Sequence, residues 1–452
     1  MAEGGVNVVR MRRIAIGGAS VALILGMVMS TSGIVQASPP KVPGVTAKQV
    51  TIGATVPLTG IAAQGYSEVA KAANAVFTWV NQHGGVNGRQ IKYVIKDDCY
   101  GTPGFGCTGN PNTVALTKQL ISLPVFATVG SLGTPTQDSV RSLLKANHVP
   151  QLFVNSGSKD WNNPKVYPGL FGWQTSYTVE SKILGQYIEA HFTGQKVCFL
   201  GQHDDFGGDG LLGLQDVGVN PIDSVMYDVA SLVTGGAGYF TPFIAKFQAE
   251  GCKVVYLDTI PGATDAALGN ALALGYHPQW VISSVGADPV TVDAAFAGKP
   301  FPDPEIGAIS FSYLPASLDT NVWNGWMREI LTNDKADFPN FTSTSPIDGN
   351  MAYGIGWGVA FVEALRAAGR NFTRASFLKT LTSTSFQTPA LVPLRYTATN
   401  HQGLNGGYIV QVRSASSTGV LDKAVFVTTS SPKSSVTVTS KLSTAIPSWL
   451  LG

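Results

Sequence analysis

Histidine and cysteine are scarce in this chain, with six and four copies, and charged residues make up only 13% of it. The cysteines form no Cys-x-x-Cys pair and the histidines are scattered, so neither a zinc shell nor a dithiol redox centre is indicated. There is no G-x-S-x-G elbow and no H-E-x-x-H segment, which removes the hydrolase and metalloprotease readings those motifs carry. Only one apolar run is long, Ile14 to Met29.

That run follows Arg10, Arg12 and Arg13 and leads into Val35-Gln36-Ala37. A basic start, an apolar stretch and small residues at the −3 and −1 positions predict a signal peptide cleaved near Ala37 and export of the rest. Removing residues 1–37 takes three Arg and one Glu, leaving 27 basic and 27 acidic residues. A chain with no net charge and no basic stripe offers nothing to nucleic acid or to an anionic membrane surface. With 44% hydrophobic residues it is globular, and its length suggests two core-bearing units.

All four cysteines lie in the exported part, where disulfides persist. Cys99 and Cys107 flank a Gly/Pro-rich loop that can bring their sulfurs together. Cys198 and Cys252 sit near the starts of two predicted strands and form a second bridge if those strands are neighbours.

The pattern along the chain alternates. Val50–Val56 reads as a strand. Val69, Ala72, Ala73, Val76, Phe77 and Val80 then form the stripe of a helix with one buried face, stopped by Gly84-Gly85. Strands are predicted at 90–96, 125–129, 151–154, 196–200, 223–229, 253–258, 279–283 and 306–312. Between several of them run helices at 136–147, 178–191, 239–250 and 263–274. Such alternation gives parallel sheets covered by helices on both faces. The Gly/Ser/Thr-rich loops 57–65, 130–136, 155–159 and 201–210 follow strands, and the carboxyl ends of parallel strands form ligand crevices. From Ser414 onward the chain is rich in Ser, Thr and Val, and its last stretch is expected to be surface or frayed.

Two segments match G-x-G-x-x-G. Gly104, Gly106 and Gly109 belong to the turn-rich Cys99–Cys107 region. Gly208, Gly210 and Gly213 follow a strand, but His203-Asp204-Asp205-Phe206 stands where a dinucleotide fold needs a tight turn. His203-Asp204-Asp205 is expected to cap a helix and not to hold a metal, since sequence neighbours rarely converge on one ion. Of Asp97 and Asp98, one is expected to brace the Cys loop.

Val50-Thr51-Ile52-Gly53, Pro57-Leu58-Thr59-Gly60 and above all Gly84-Gly85-Val86-Asn87-Gly88-Arg89 resemble the opening of the branched-chain amino acid-binding proteins, type I substrate-binding components of ABC importers. Asp205-Phe206-Gly207, Thr241-Pro242-Phe243 and Pro393-Leu394-Arg395-Tyr396 extend the likeness over most of 48–413. The resemblance implies an α/β fold, the type I periplasmic binding protein fold, with two doubly wound parallel-sheet lobes joined by a three-stranded hinge. The N-lobe would be 48–170 plus 316–402, the C-lobe 173–313 plus 404–430, and 431–452 a Ser/Thr-rich tail. It further implies a monomer that captures a small molecule and delivers it to a membrane permease, with no catalytic residue, metal or cofactor. A secreted enzyme on a similar fold and a sensory ligand-binding domain are the alternatives.

The resemblance carries a ligand site onto named positions. The loop Gly130-Ser131-Leu132-Gly133-Thr134 places Thr134 on the hydroxyl that binds a ligand carboxylate, with Ser131 beside it. That loop opens a helix, whose free amides favour an anion independently. Ser156 and Ser158 follow in the next loop, Phe206 takes the aromatic lid position, and Tyr66, Trp173, Ile260 and Ser284 complete the set. One departure bears on the ligand. Where relatives hold an α-ammonium with an acid, this chain has Ser283-Ser284-Val285-Gly286-Ala287. A buried ammonium without a carboxylate is costly, so a ligand lacking that group is expected.

Overall fold

The computed structural model describes Met1 and residues 41–300, 302–315, 322–422, 424–439 and 446–450; the expected leader and its cleavage site lie outside them. The first sheet is built from β1 (Gln49–Val56), β2 (Gln90–Asp97), β3 (Thr128–Val129), β4 (Gln151–Val154) and β5 (Leu170–Gly172). All five are parallel, in the order β2-β1-β3-β4-β5. The crossovers are α1 (Ala63–Gln82), α2 (Thr113–Ser122) and α3 (Thr134–Ala146). The apolar stripe read from α1 is buried along its length, from Val69 to Val80. Each large side chain in it contributes about 2 kcal/mol of burial.

After β5 the chain crosses to a second sheet through α4 (Tyr177–His191). Strands β6 (Val197–Gln202), β7 (Asp223–Tyr227), β8 (Val254–Asp258), β9 (Gln279–Ile282) and β10 (Ile309–Ser312) follow. They alternate with α5 (Asp205–Asp216), α6 (Val229–Gly235), α7 (Thr241–Glu250), α8 (Pro261–Ala273) and α9 (Pro289–Phe296). The chain then returns to the first lobe as α10 (Val322–Asn333), α11 (Gly349–Ala368) and α12 (Arg374–Ser383), and makes the short pair β11 (Ser385–Phe386) and β12 (Leu394–Arg395). It crosses a third time into β13 (Gly406–Ser414), β14 (Ser417–Val420), β15 (Val425–Val427) and β16 (Thr437–Thr439). The second sheet runs β16-β15-β13-β10-β9-β8-β6-β7, with β14 beside β13. Its β6–β10 half is parallel and its β13–β16 half antiparallel.

Residues from Val42 onward form one compact unit. Helix α11, absent from the sequence reading, is buried on nearly every side and packs along α1. A Cβ on Gly354 would collide with the Val69 carbonyl, so glycine there sets the helix spacing. The second G-x-G-x-x-G has the same origin: Gly210 and Gly213 lie inside α5, against Asp258 and the Thr178 backbone. Asp204 caps that helix by accepting from Phe206 N at 2.8 Å.

Both disulfides are present. Cys198 and Cys252 have Cα atoms 5.8 Å apart, on adjoining β6 and the approach to β8. Cys99–Cys107 closes its loop at 5.6 Å, and both neighbouring aspartates brace it. Asp97 accepts from Leu58 N, Thr59 N and Cys99 N, and Asp98 from Tyr100 N and Thr113 Oγ1.

Of the two expectations for the tail, surface or frayed, residues 429–439 are largely at the surface, but they are paired and not frayed. Strand β16 pairs with β15, and Leu450 is 1% exposed. The fully buried Lys182 of α4 holds this segment, its Nζ donating to the carbonyls of Thr429, Ser431 and Ser434.

Candidate functional site

The carboxyl ends of the N-lobe strands face the C-lobe across a cavity of about 510 Å³. Its N-lobe wall starts where β3 gives way to α3. Gly133, at φ 115°, turns the chain so that Thr134 opens the helix, and a helix cannot satisfy its own first amides. Thr134 Oγ1 shares hydrogen bonds with Ser156 Oγ at 2.7 Å and Tyr177 OH at 3.2 Å. Asn155 and Gln174 extend this polar wall, and Gln174 Oε1 accepts from Tyr353 OH at 2.9 Å.

The ring of Phe206 packs on that of Tyr177 at 4.5 Å between centroids and is 1% exposed. From α1, Tyr66 OH donates to Val285 O of the C-lobe at 3.1 Å. On that side Ser284 gives both its N–H and its hydroxyl to the Glu180 carboxylate, at 2.5 and 2.7 Å. Burial pushes Glu180 up to about 7, and the Ser284 hydrogen bonds oppose the rise.

Of the nine residues expected from the sequence, Tyr66, Thr134, Phe206 and Ser284 line the cavity. The other five stand behind it. Ser131 Oγ is spent accepting from Thr55 N, and Ser156 supports Thr134 from the layer below. Ser158 caps a short turn and donates to Asp205. Trp173 and Ile260 are fully buried; Trp173 packs against Phe153 and Tyr353, and Ile260 precedes α8 with its N–H on Tyr227 OH. Wall residues that the sequence reading did not assign to the site include Tyr100, Tyr313, Arg328, Asp348 and Tyr353.

The two lobes are in contact around the cavity. C-lobe carboxylates accept from N-lobe donors on both flanks: Asp209 from Lys159 N at 2.8 Å, Asp205 from Ser158, Asp265 from Gln64 Nε2 at 2.7 Å, and Asp288 from Gly349 N at 2.6 Å. Lys159 Nζ also pairs with Asp209. Asp288 caps α9 and Asp348 caps α11. Burial pushes both carboxyls up, and their mutual proximity with Glu68 adds to the rise.

The wall therefore offers hydroxyls, amides, aromatic faces and carboxylates already engaged by backbone amides. Among the described residues, one group of acid and sulfur ligand atoms lies close enough to hold a metal ion, Cys198, Glu250 and Cys252. Its two sulfurs are joined to each other, which leaves no thiolate to coordinate.

A family model described as periplasmic binding protein matches residues 49–418. A Leu/Ile/Val-binding protein homolog 3 of Brucella melitensis biotype 1 is 25% identical over 210 residues, covering 46% of this chain and 53% of that protein. The chain thus spans about half the length of the curated relatives it matches. Among solved structures, the fatty acid ABC transporter substrate-binding protein from Thermomonospora curvata superposes with TM-score 0.71 at 18% identity, over 85% of this chain and 94% of that one. A branched chain amino acid ABC transporter from Thermus thermophilus with bound valine gives 0.67 at 18%, over 84% and 96%. At these identities the likeness establishes the fold alone.

Proposed function

The chain belongs to the periplasmic binding protein family, and from that premise we propose that it is exported, captures one small molecule between its lobes, and delivers it to the permease of an ABC importer without altering it. One observation carries this reading. A cavity of about 510 Å³ draws its wall from both lobes, a volume suited to a drug-sized ligand. The N-lobe is taken as 48–170 plus 316–402 and the C-lobe as 173–313 plus 404–430, with opening and closing about the three crossings.

The ligand is proposed to bear a carboxylate or similar acceptor group, held by Thr134, Tyr177 and the first amides of α3, with a partly apolar body against Tyr66, Phe206, Tyr313 and Tyr353. An α-ammonium is disfavoured. At the C-lobe wall Ser284 occupies both oxygens of Glu180, and the Asp288 carboxylate is engaged by Thr291 and Gly349. The names of the relatives, which mention fatty acid and valine, are compatible with a carboxylate at this wall.

Titration calorimetry with a panel of carboxylates tests the reading. Losing one hydrogen bond to a charged group costs about 1.5–3 kcal/mol, so Thr134→Val is expected to weaken the best binder roughly 10- to 100-fold. Ser156→Ala, one layer back, is expected to weaken it less. Unchanged affinity in both variants would overturn the placement.

A further inference from the structure

Among the described residues on the cavity wall, Arg328 is the only Lys, Arg or His. It lies on α10, whose cavity face is Asn324, Met327 and Arg328, spaced i, i+3, i+4 as one side of a helix. A guanidinium carries five N–H donors in a planar fork suited to an oxyanion. One of them goes to the Ser345 carbonyl. Among the described residues no carboxylate forms an ion pair with Arg328. The cavity wall also includes the apolar Leu314, Pro315, Met327, Pro346 and Ile347 and the polar Asn324 and Asp348.

The hydroxyl pole of the cavity, Thr134, Asn155 and Tyr177, comes from other elements, the loops after β3 and β4 and the start of α4. The two polar groups stand on different elements of a wall that also carries aromatic and aliphatic side chains, and such a wall suits a ligand that is polar at both ends. We propose that Arg328 is a second anchor of the cleft, and that the ligand is a dicarboxylate with an apolar body whose far carboxylate pairs with this guanidinium. The proposal rests on the reading of the cleft as a solute site. Asp288 and Asp348 share the wall, but backbone amides engage both, Thr291 N and Gly349 N for the first and Met351 N for the second. Their burial also favours the uncharged form, which reduces repulsion of a second anion.

Calorimetry of the mature protein with octanedioate and octanoate tests this. The two probes have equal length and differ only in the far carboxylate. Octanedioate is expected to bind at least about 10-fold more tightly, in line with a charge-assisted bidentate pair. Arg328→Gln should abolish that difference and leave octanoate within about two-fold, and Arg328→Lys should restore part of it, since lysine keeps the charge but not the fork. Equal weakening of both probes in Arg328→Gln would show that Arg328 only tethers the Ser345 loop and would overturn the proposal. So would equal affinity of the two probes for the wild-type protein. If neither probe binds while another carboxylate binds and is sensitive to Thr134→Val, the second anchor is refuted and the solute site stands. If no carboxylate binds at all, both fail.

Discussion

Replacing Glu180 by Gln should change how the stability of this protein depends on pH. Glu180 is 1% exposed and among the described residues its carboxylate accepts from Ser284 alone, so burial raises its pKa from the ordinary 4.5 to about 7. At about 1.4 kcal/mol per pH unit, that gap is worth about 3 kcal/mol. A raised carboxyl holds its proton more tightly in the folded state, so its contribution is fully present below the unfolded pKa near 4.5 and is lost as pH rises through about 7. Gln keeps the shape and can both accept from Ser284 N and donate to Ser284 Oγ, but it does not titrate. In urea unfolding followed by tryptophan fluorescence, the stability of Glu180→Gln relative to wild type should rise by about 3 kcal/mol between pH 4.5 and pH 8.5. Most of the rise should fall between pH 5 and 7. Asp98 and Asp265, also raised to about 7, steepen both curves but cancel in the difference. Asp258 is raised by burial and further by Glu180, so the two groups titrate as neighbours and Asp258 contributes to the difference. A difference that stays flat with pH would mean that water reaches Glu180 and would refute the account of this wall.

The Cys198–Cys252 bridge spans 54 residues and the Cys99–Cys107 bridge spans eight. Loop entropy then predicts losses of about 4 and about 2.5 kcal/mol when each pair is replaced by serine, measured by urea midpoint. Gly354→Ala forces a methyl against the Val69 carbonyl and should cost about 3 kcal/mol by the same measurement. Lys182→Met removes the donor to the 429–434 segment. Hydrogen exchange in β15 and β16 should then accelerate by about 10- to 100-fold, with the first sheet unchanged.

The alternation of strands and helices was readable because most elements expose one face, and half-buried elements leave a period in the sequence. Helix α11 left none. Its residues from Met351 to Leu365 are buried nearly all round, and a helix without a polar face has no amphipathic signature. The first glycines of α5, up to Gly210, read as a loop for a related reason, since the smallness of Gly210 answers to Asp258 across the packing interface. The tail is held by one ammonium about 250 positions away, a contact that no local pattern encodes.

Of the residues expected at the site, Thr134 and Phe206 stand where a loop opens a helix, and both line the cavity. Ser131, Ser156 and Ser158 share that loop chemistry, and only the three-dimensional register separates the hydroxyl on the wall from those spent on neighbouring backbone or side chains. Arg328 carries a weak signal, its i, i+3, i+4 spacing with Asn324 and Met327. The same spacing marks any helix face, so nothing in the sequence points it at the cavity.

The central claim is capture of a small molecule without chemistry on it. Its most direct test mixes the mature protein at equal concentration with the carboxylate that most raises its melting temperature. Native mass spectrometry then counts bound molecules, and mass spectrometry of the denatured sample identifies them. The account predicts one molecule per chain, recovered unchanged after hours. Disappearance of the compound with appearance of a product, or failure of every carboxylate in the panel to bind, would contradict it.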